Sequence, residues 1–290
     1  MKISTLLLTL ALIASPVIKA AAPGDMQEGR WVQISAPSGV GSTIRTVWPN
    51  TGSAAVKDVK NVMAYSGGAF ATGLGSRGSL IVFGGGHGDY AGNEVYAFGI
   101  ETGLWSLVGT PSPTSVCTYS TSRYADGKPC SPHTYDATEY APSTNELFKI
   151  GPASDYSAGG GGTGNIDAFS FNTNSWTRKG RLATFQDECS TGSGEAGVSA
   201  YDSVNQVLWW HGVLSKYGGP AQGGACGTAG GLQANILQKI SPTTGATTAS
   251  YLGANIGIDG IMAFAPELKA LILLDQRSAK ELHVWDVATG

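Results

Sequence analysis

The sequence predicts an all-β protein, specifically a β-propeller built from four-stranded blades. Three observations support this prediction. One segment pattern recurs along the chain, glycine is abundant at 42 of 290 residues, and no stretch beyond the extreme N-terminus shows a sustained helical period. A repeat that holds about four short strands and several tight turns is typical of a propeller blade.

The repeated unit is a strand that leads into glycines, then an alternating strand, and then a Thr-Gly or Thr-Asn step that Trp often follows. The clearest copy covers residues 79–107, and further copies begin at Glu146, Gln206 and Lys269. Because each copy supplies the middle and outer strands of one sheet, the pattern predicts about four blades. Their predicted positions are near residues 60–110, 133–180, 195–250 and 258–290.

Two sets of markers give the spacing of the blades. The turn anchors Gly103 and Asn174 are 71 residues apart, and Asn174 and Gly245 are 71 apart as well. Glycine reaches positive φ at no steric cost, so each anchor is expected to close the hairpin between the third and fourth strands. Aromatic residues mark the first strand of each blade, at Tyr65, Tyr140, Tyr201 and Phe264.

The two ends of the chain are complementary. Thr289-Gly290 falls inside the hairpin that should lead to the outer strand of the fourth blade, whereas Gly29–Ser35 resembles an outer strand without inner strands. One interpretation is a four-bladed ring that this N-terminal strand closes, which removes an exposed sheet edge. The other is a fragment of a larger propeller, and the length of chain per blade favours it.

The motifs resemble those of kelch and galactose-oxidase-like β-propellers, and more closely those of secreted bacterial propeller proteins. Residues 85–96 read Gly-Gly-His-Gly-Asp-Tyr-Ala-Gly-Asn-Glu-Val-Tyr, and residues 132–135 read Pro-His-Thr-Tyr. The resemblance covers roughly residues 60–290. It implies the propeller fold but not the chemistry, because such folds host unrelated functions.

Residues 1–22 resemble an export signal, which leaves residues 23–290 as the propeller domain. Lys2 supplies a positive start, Leu6–Ile13 an apolar stretch, and Ala20–Ala22 a cleavage site of small residues. The apolar stretch is well below the ~20 residues that span a bilayer. We therefore expect a secreted or periplasmic protein with no membrane span after signal removal.

The overall charge argues against a nucleic-acid partner. The formal net charge is -3, only 13% of residues are charged, and the basic residues are scattered along the chain. Such a chain presents no basic field to a phosphate backbone. The expected partner is a carbohydrate or a cell-surface glycan.

Four cysteines in an exported chain predict disulfides. All three pairings are formally open, but Cys117 and Cys130 share one inserted loop, while Cys189 and Cys226 bracket the loops of the third blade. We therefore expect those two bridges. Metal ligation is the alternative, although the chain has no Cys-x-x-Cys spacing.

Functional residues of a propeller normally lie on loops at one face, around the central channel. If the first strand of each blade lines that channel, the loops before first strands and after second strands share one face. The candidates for catalytic residues on these loops are His87, Tyr90, His133, Tyr135 and Arg277.

Each candidate also has a structural alternative. The rings of His87 and His133 could form hydrogen bonds to backbone carbonyls. Tyr90 and Tyr135 could be packing residues in which only the hydroxyl is polar. Arg277 could form an ion pair with Asp275. Glu94 is expected to be an inward structural acid. His283 alternates with Leu282 and Val284, so we expect its side chain to face solvent.

Three functional classes fit these observations. A polysaccharide lyase needs a base, an acid and a cation near a uronate, which His, Tyr and Arg could supply. A binding propeller would recognise glycans or protein partners through the same rim without catalysis. The copper-radical oxidase that the resemblance suggests is disfavoured, because its set of two His, two Tyr and a Tyr-linked Cys cannot be mapped here. Cofactor and metal requirement stay open.

Overall fold

The computed structural model describes residues 38–49, 62, 66–84, 92–113, 123–131, 134–151, 164–182, 197–213, 235–251, 260–274 and 281–288. Within these residues the protein is all-β, and its one α-helix is a single turn, α1 (Ile44–Val47). The predicted export signal and the segment Gly29–Ser35 lie outside the described residues.

The strands form four separate antiparallel sheets, which we number as blades 1 to 4 in chain order. Blade 1 contains β1 (Gly68–Ala71), β2 (Ser79–Phe83), β3 (Val95–Gly99) and β4 (Leu104–Gly109). Blade 2 contains β5 (Thr138–Ala141), β6 (Glu146–Ile150), β7 (Asn165–Ser170) and β8 (Ser175–Arg181). Blade 3 contains β9 (Val198–Asp202), β10 (Val207–Val213), β11 (Asn235–Ile240) and β12 (Thr247–Tyr251). Blade 4 contains β13 (Ile261–Ala265), β14 (Ala270–Leu274) and β15 (Leu282–Asp286). The predicted blade positions are confirmed.

The blades are arranged radially, in the manner of a four-blade β-propeller. The first strand of each blade is innermost, and the pairs β1 and β5, β5 and β9, and β9 and β13 are in contact. Parallel bridges from Ser66 to Tyr135 and from Asp136 to Val198 join the residues that lead into these strands. The amide N–H of Met262 in blade 4 also donates to the Asp136 carboxylate in blade 2, at 3.0 Å. The curvature is therefore tight enough to bring non-neighbouring blades together.

The core lies between blades rather than within them. We call the surface of a blade that packs on the following blade its forward face, and the opposite surface its backward face. Three apolar clusters join blades 1 and 2, 2 and 3, and 3 and 4. Because side chains alternate across a strand, each inner strand supplies both faces. Each forward face combines Ala and aliphatic side chains with one aromatic residue, namely Phe83, Phe148 or Trp209, and the backward faces that meet them carry Tyr140, Trp210 or Trp285.

The hairpin anchors are confirmed as turn residues. Gly103, Asn174 and Gly245 all have positive φ, at 64°, 51° and 72°. Glycine or asparagine at these positions avoids most of the steric cost of the left-handed conformation. Gln206 and Lys269 adopt the same conformation, at φ 55° and 49°, in the turns between first and second strands. No sequence signal marked those two positions.

One of the aromatic markers was assigned to the wrong residue. Tyr140, Tyr201 and Phe264 each lie directly opposite a leucine of the second strand. In blade 1 the residue opposite a leucine is Phe70, whose partner is Leu80. Phe70 therefore takes the place that the sequence analysis gave to Tyr65, because the turn after β1 is longer than the corresponding turns of the other blades.

Candidate functional site

One rim of the propeller gathers the loops that were expected to carry function. Each first strand runs antiparallel to the second strand of its blade, so the start of one lies beside the end of the other. Gly68 is opposite Val82, Thr138 is opposite Lys149, Val198 is opposite His211, and Ile261 is opposite Leu274. The strand ends from which the loops before first strands and after second strands leave therefore lie at the same rim.

Only one of the predicted catalytic residues falls within the described residues. His87, Tyr90, His133 and Arg277 lie outside them, so their roles stay predictions. Tyr135 is described, and it is partly exposed on the rim. Its backbone has φ 45°, in the left-handed region, where it bridges to Ser66 of blade 1. A non-glycine residue in this conformation costs about 1 kcal/mol or more, and such strain clusters at functional sites.

Asp136, directly after Tyr135, joins three blades. Its backbone carbonyl accepts hydrogen bonds from the amide and the hydroxyl of Ser199 in blade 3, at 3.0 and 2.8 Å. Its carboxylate Oδ2 accepts from the Met262 amide of blade 4. Burial raises the pKa of the Asp136 carboxyl from 3.8 to about 6, although the Met262 hydrogen bond opposes the shift.

Glu139 lies beside Asp136, in the first strand of blade 2. The Ser199 hydroxyl donates to Glu139 Oε1 at 3.3 Å. Burial, together with the nearby Asp136 carboxylate, raises the pKa of Glu139 from 4.5 to about 8, although hydrogen bonds from Ser199 and the Tyr201 backbone oppose both effects. Glu139 is therefore mostly protonated at neutral pH.

We refer to Asp136 and Glu139 together as the carboxyl pair. At pH 7 the pair offers one neutral acid and one ionised acceptor, because the pKa values of its members are separated. Two carboxyls whose environments push their pKa values apart are a recurrent arrangement for proton transfer. Both residues are only partly exposed at the inner edge of the rim, and the Glu139 carboxyl is the more deeply enclosed of the two.

A second charged group, the Asp167 cluster, lies between blades 1 and 2. Asp167 is fully buried, and its Oδ1 accepts from Arg123 Nη2 at 2.5 Å and from Arg178 Nε at 3.0 Å. Lys149, also buried, is the cross-strand partner of Asp167. Arg123 additionally donates to the Gly127 carbonyl. The cluster therefore fastens the 123–131 segment to blade 2.

Asp136 and Glu139 were not among the predicted site residues, because the expected acid–base groups were His and Tyr. The available signal was weak: two acids three residues apart, one just before and one within the first strand of blade 2. Glu94 is fully buried, as its expected structural role requires. No group of three or more potential metal ligands occurs among the residues that the structure describes.

The expectation for His283 is wrong. The side chains of Leu282 and Val284 face outward and are 62% and 63% exposed, whereas the Trp285 side chain, on the same side of β15 as His283, packs on the core between blades 3 and 4. The alternation of side chains along β15 was predicted, but the side that faces the core was assigned to the wrong residues. Hydropathy alone favoured burying Leu282 and Val284.

Cys130 is the one cysteine within the described residues. It is buried near Tyr124 and is held in a disulfide, so it is not a free thiol. Cys117, Cys189 and Cys226 lie outside the described residues. The pairings of Cys117 with Cys130 and of Cys189 with Cys226 therefore stay predictions.

The described part of the chain contains no helix long and apolar enough to cross a bilayer. No protein-family model matches the chain, and no curated protein matches it either. The resemblance to kelch and galactose-oxidase-like propellers thus rests on the quoted motifs alone. The propeller architecture rests on the structure itself.

Proposed function

We propose that this chain is a secreted β-propeller that binds extracellular carbohydrate at the rim and acts on it by proton transfer at the carboxyl pair. The observation that carries the proposal is the separation of the pKa values of Asp136 and Glu139, to about 6 and about 8, in side chains that are still partly exposed. Export by residues 1–22 is part of the proposal.

In this scheme Glu139 donates its proton to the leaving glycosidic oxygen. Asp136 accepts the proton released on the other side of the bond, either from an attacking water in a hydrolysis or from the carbon beside a uronate in an elimination. Both schemes conserve protons, because one carboxyl loses a proton and the other gains one. Tyr135 is the neighbouring aromatic residue on which a sugar face could stack.

The first experiment is an activity screen of the exported protein. The protein is incubated with uronate-containing polysaccharides and with neutral polysaccharides, and two products are followed. Elimination creates an unsaturated sugar end that absorbs ultraviolet light as well as a reducing end, whereas hydrolysis creates only the reducing end. We expect product with at least one polymer and a loss of about a hundredfold or more in rate in Glu139→Gln.

A matched variant distinguishes a loss of catalysis from a nonspecific effect of substituting a glutamate. Glu101→Gln changes an exposed glutamate in the turn between β3 and β4 and is expected to leave the rate unchanged. Full activity in Glu139→Gln would contradict the proposal. Binding without product on any polymer would replace it with the non-catalytic binding propeller, and the His and Tyr lyase would be favoured if His133→Ala alone abolished elimination.

A further inference from the structure

The Ser199 hydroxyl lies between two acceptors on blade 2. Ser199 is fully buried in β9. Its Oγ is 2.8 Å from the Asp136 carbonyl oxygen and 3.3 Å from Glu139 Oε1. A serine hydroxyl has one proton to donate, so it cannot serve both acceptors fully at the same time. The state of the two acceptors therefore decides where this proton lies.

While Glu139 is neutral, the geometry favours the Asp136 carbonyl. A distance of 2.8 Å is typical of an O–H···O hydrogen bond, whereas 3.3 Å is longer than the usual range of about 2.5–3.0 Å. Glu139 is mostly protonated at neutral pH, so it presents no charge that draws the hydroxyl proton away from Asp136. The hydroxyl therefore donates to Asp136 in the resting state.

Once Glu139 is ionised, the preference reverses. A carboxylate is the stronger acceptor, because hydrogen bonds to a charged group are shorter and about twice as strong as those between neutral groups. Rotation about the Cβ–Oγ bond of Ser199 is enough to redirect the proton. The Asp136 carbonyl still accepts from the Ser199 amide at 3.0 Å, so the rotation does not leave that carbonyl without a donor.

Two other groups act on the Glu139 carboxyl, and neither is a side-chain donor. The Asp136 carboxylate raises the pKa of Glu139, and the Tyr201 backbone supplies a hydrogen bond that lowers it. From blade 4, the Met262 amide donates to Asp136. Within the described part of the chain, Ser199 is therefore the side-chain donor that can respond to a charge on Glu139.

We propose that Ser199 is a positioning residue whose hydroxyl turns from the Asp136 carbonyl to Glu139 Oε1 when Glu139 gives up its proton. The Glu139 proton passes to the ligand or to solvent, and Ser199 keeps its own. The hydroxyl thereby stabilises the carboxylate that proton donation leaves behind. Because Glu139 is the acid of the proposed function, the consequence for catalysis rests on that proposal, whereas the consequence for the pKa of Glu139 does not.

The test compares three serine variants of the intact protein. Ser199→Ala removes the hydroxyl and Ser199→Thr keeps it. Ser79→Ala is the matched control, since it removes a different buried hydroxyl, which donates to the Leu74 carbonyl in blade 1. The pKa of Glu139 is measured without substrate, by infrared difference spectroscopy of the carboxyl band over a range of pH, and Glu139→Gln identifies that band. Near-ultraviolet circular dichroism checks that each variant is folded.

We expect Ser199→Ala to raise the pKa of Glu139 by about one pH unit or more, because the carboxylate loses its hydroxyl donor. Ser199→Thr and Ser79→Ala should leave this pKa close to that of the parent. On a polymer that the parent degrades, the alkaline limb of the pH–rate profile should move to higher pH in Ser199→Ala. The maximal rate of this variant should fall by about three- to tenfold, because the carboxylate formed in the reaction is less stabilised.

An unchanged or lower pKa of Glu139 in folded Ser199→Ala would overturn the inference, because the hydroxyl would then donate to Asp136 in both states. An equal rise in Ser79→Ala or in Ser199→Thr would also overturn it, since the effect would not depend on the loss of this hydroxyl. If the pKa rises in Ser199→Ala alone but the parent acts on no polymer, the proposed function fails and the role of Ser199 stands.

Discussion

At the scale of single residues, the carboxyl pair is the feature that the sequence pattern could not reveal. The spacing of Asp136 and Glu139 was visible, but the cause of their pKa values was not. That cause is burial between blades, and the hydrogen bonds that partly oppose the shifts come from Ser199 and Met262, which are 63 and 126 residues from Asp136 in the chain. Long-range contacts decide which acid is protonated, so a linear motif carries little of this information.

The pKa of Glu139 gives a pH dependence of stability. A carboxyl whose pKa is raised on folding stabilises the folded state below its ordinary value of 4.5, and this stabilisation is lost as the pH rises through about 8. Glu139→Gln removes the titration. We expect the variant to match the parent near pH 4 and to exceed its free energy of unfolding by on the order of 2 kcal/mol at pH 9.

Urea denaturation of the parent and the variant at several pH values measures this difference. All other titratable groups are present in both proteins, so most of the remaining pH dependence cancels in the comparison. A difference that does not change with pH would show that Glu139 titrates near its ordinary value.

At the scale of elements, the positions of turns were predicted better than the side of each strand that packs on the core. Thr-Gly and Thr-Asn steps located the outer hairpins because left-handed backbone restricts the residue type strongly, as at Gly103 and Gly245. Which side chains of β15 face the core depends on what packs on each side of blade 4. Hydropathy therefore led to the wrong prediction for His283. Tyr65 was assigned instead of Phe70 because the turn after β1 is longer than the corresponding turns of the other blades.

The Asp167 cluster holds one element to another and can be tested directly. Asp167→Ala leaves the Arg123 guanidinium without its carboxylate in a largely buried site. We expect a loss of about 3 kcal/mol in the free energy of unfolding, since removing one partner of a buried pair strands the other charge.

Glu101→Ala is the comparison for this prediction. Glu101 is an exposed acid that accepts a hydrogen bond from Ser76, and its removal should cost less than about 1 kcal/mol. Chemical denaturation followed by tryptophan fluorescence measures both variants. Equal losses in the two would mean that the Asp167 cluster contributes no more than a surface contact.

At the scale of the whole molecule, the repeat predicted the architecture because every blade obeys the same packing rule. Blade 4 has three strands among the described residues, in agreement with the prediction that Thr289-Gly290 falls in the hairpin before an outer strand. The sequence could not show how tightly the blades curve, because curvature depends on contacts such as that between Asp136 and Met262.

That contact should couple the stability of blade 4 to that of blade 2. Asp136→Ala leaves the buried Met262 amide without its acceptor, at a cost of about 1–3 kcal/mol, whereas Asp136→Asn keeps an acceptor oxygen. Hydrogen exchange is expected to accelerate in β13 in the alanine variant and to stay close to the parent in the asparagine variant. Unchanged exchange in β13 for both variants would show that the bond does not couple the two blades.

The hydrogen bond from Met262 to Asp136 also bears on the order in which the blades fold. Asp136 and Met262 are separated by 126 residues, so on a growing chain blades 2 and 3 are both synthesised before the Asp136 carboxylate can accept this hydrogen bond. Distant contacts of this kind form late, because loop closure costs entropy before the contact repays it. The carboxyl pair therefore acquires its final environment only when blade 4 docks, so a partly synthesised chain does not yet have the Met262 hydrogen bond that lowers the pKa of Asp136.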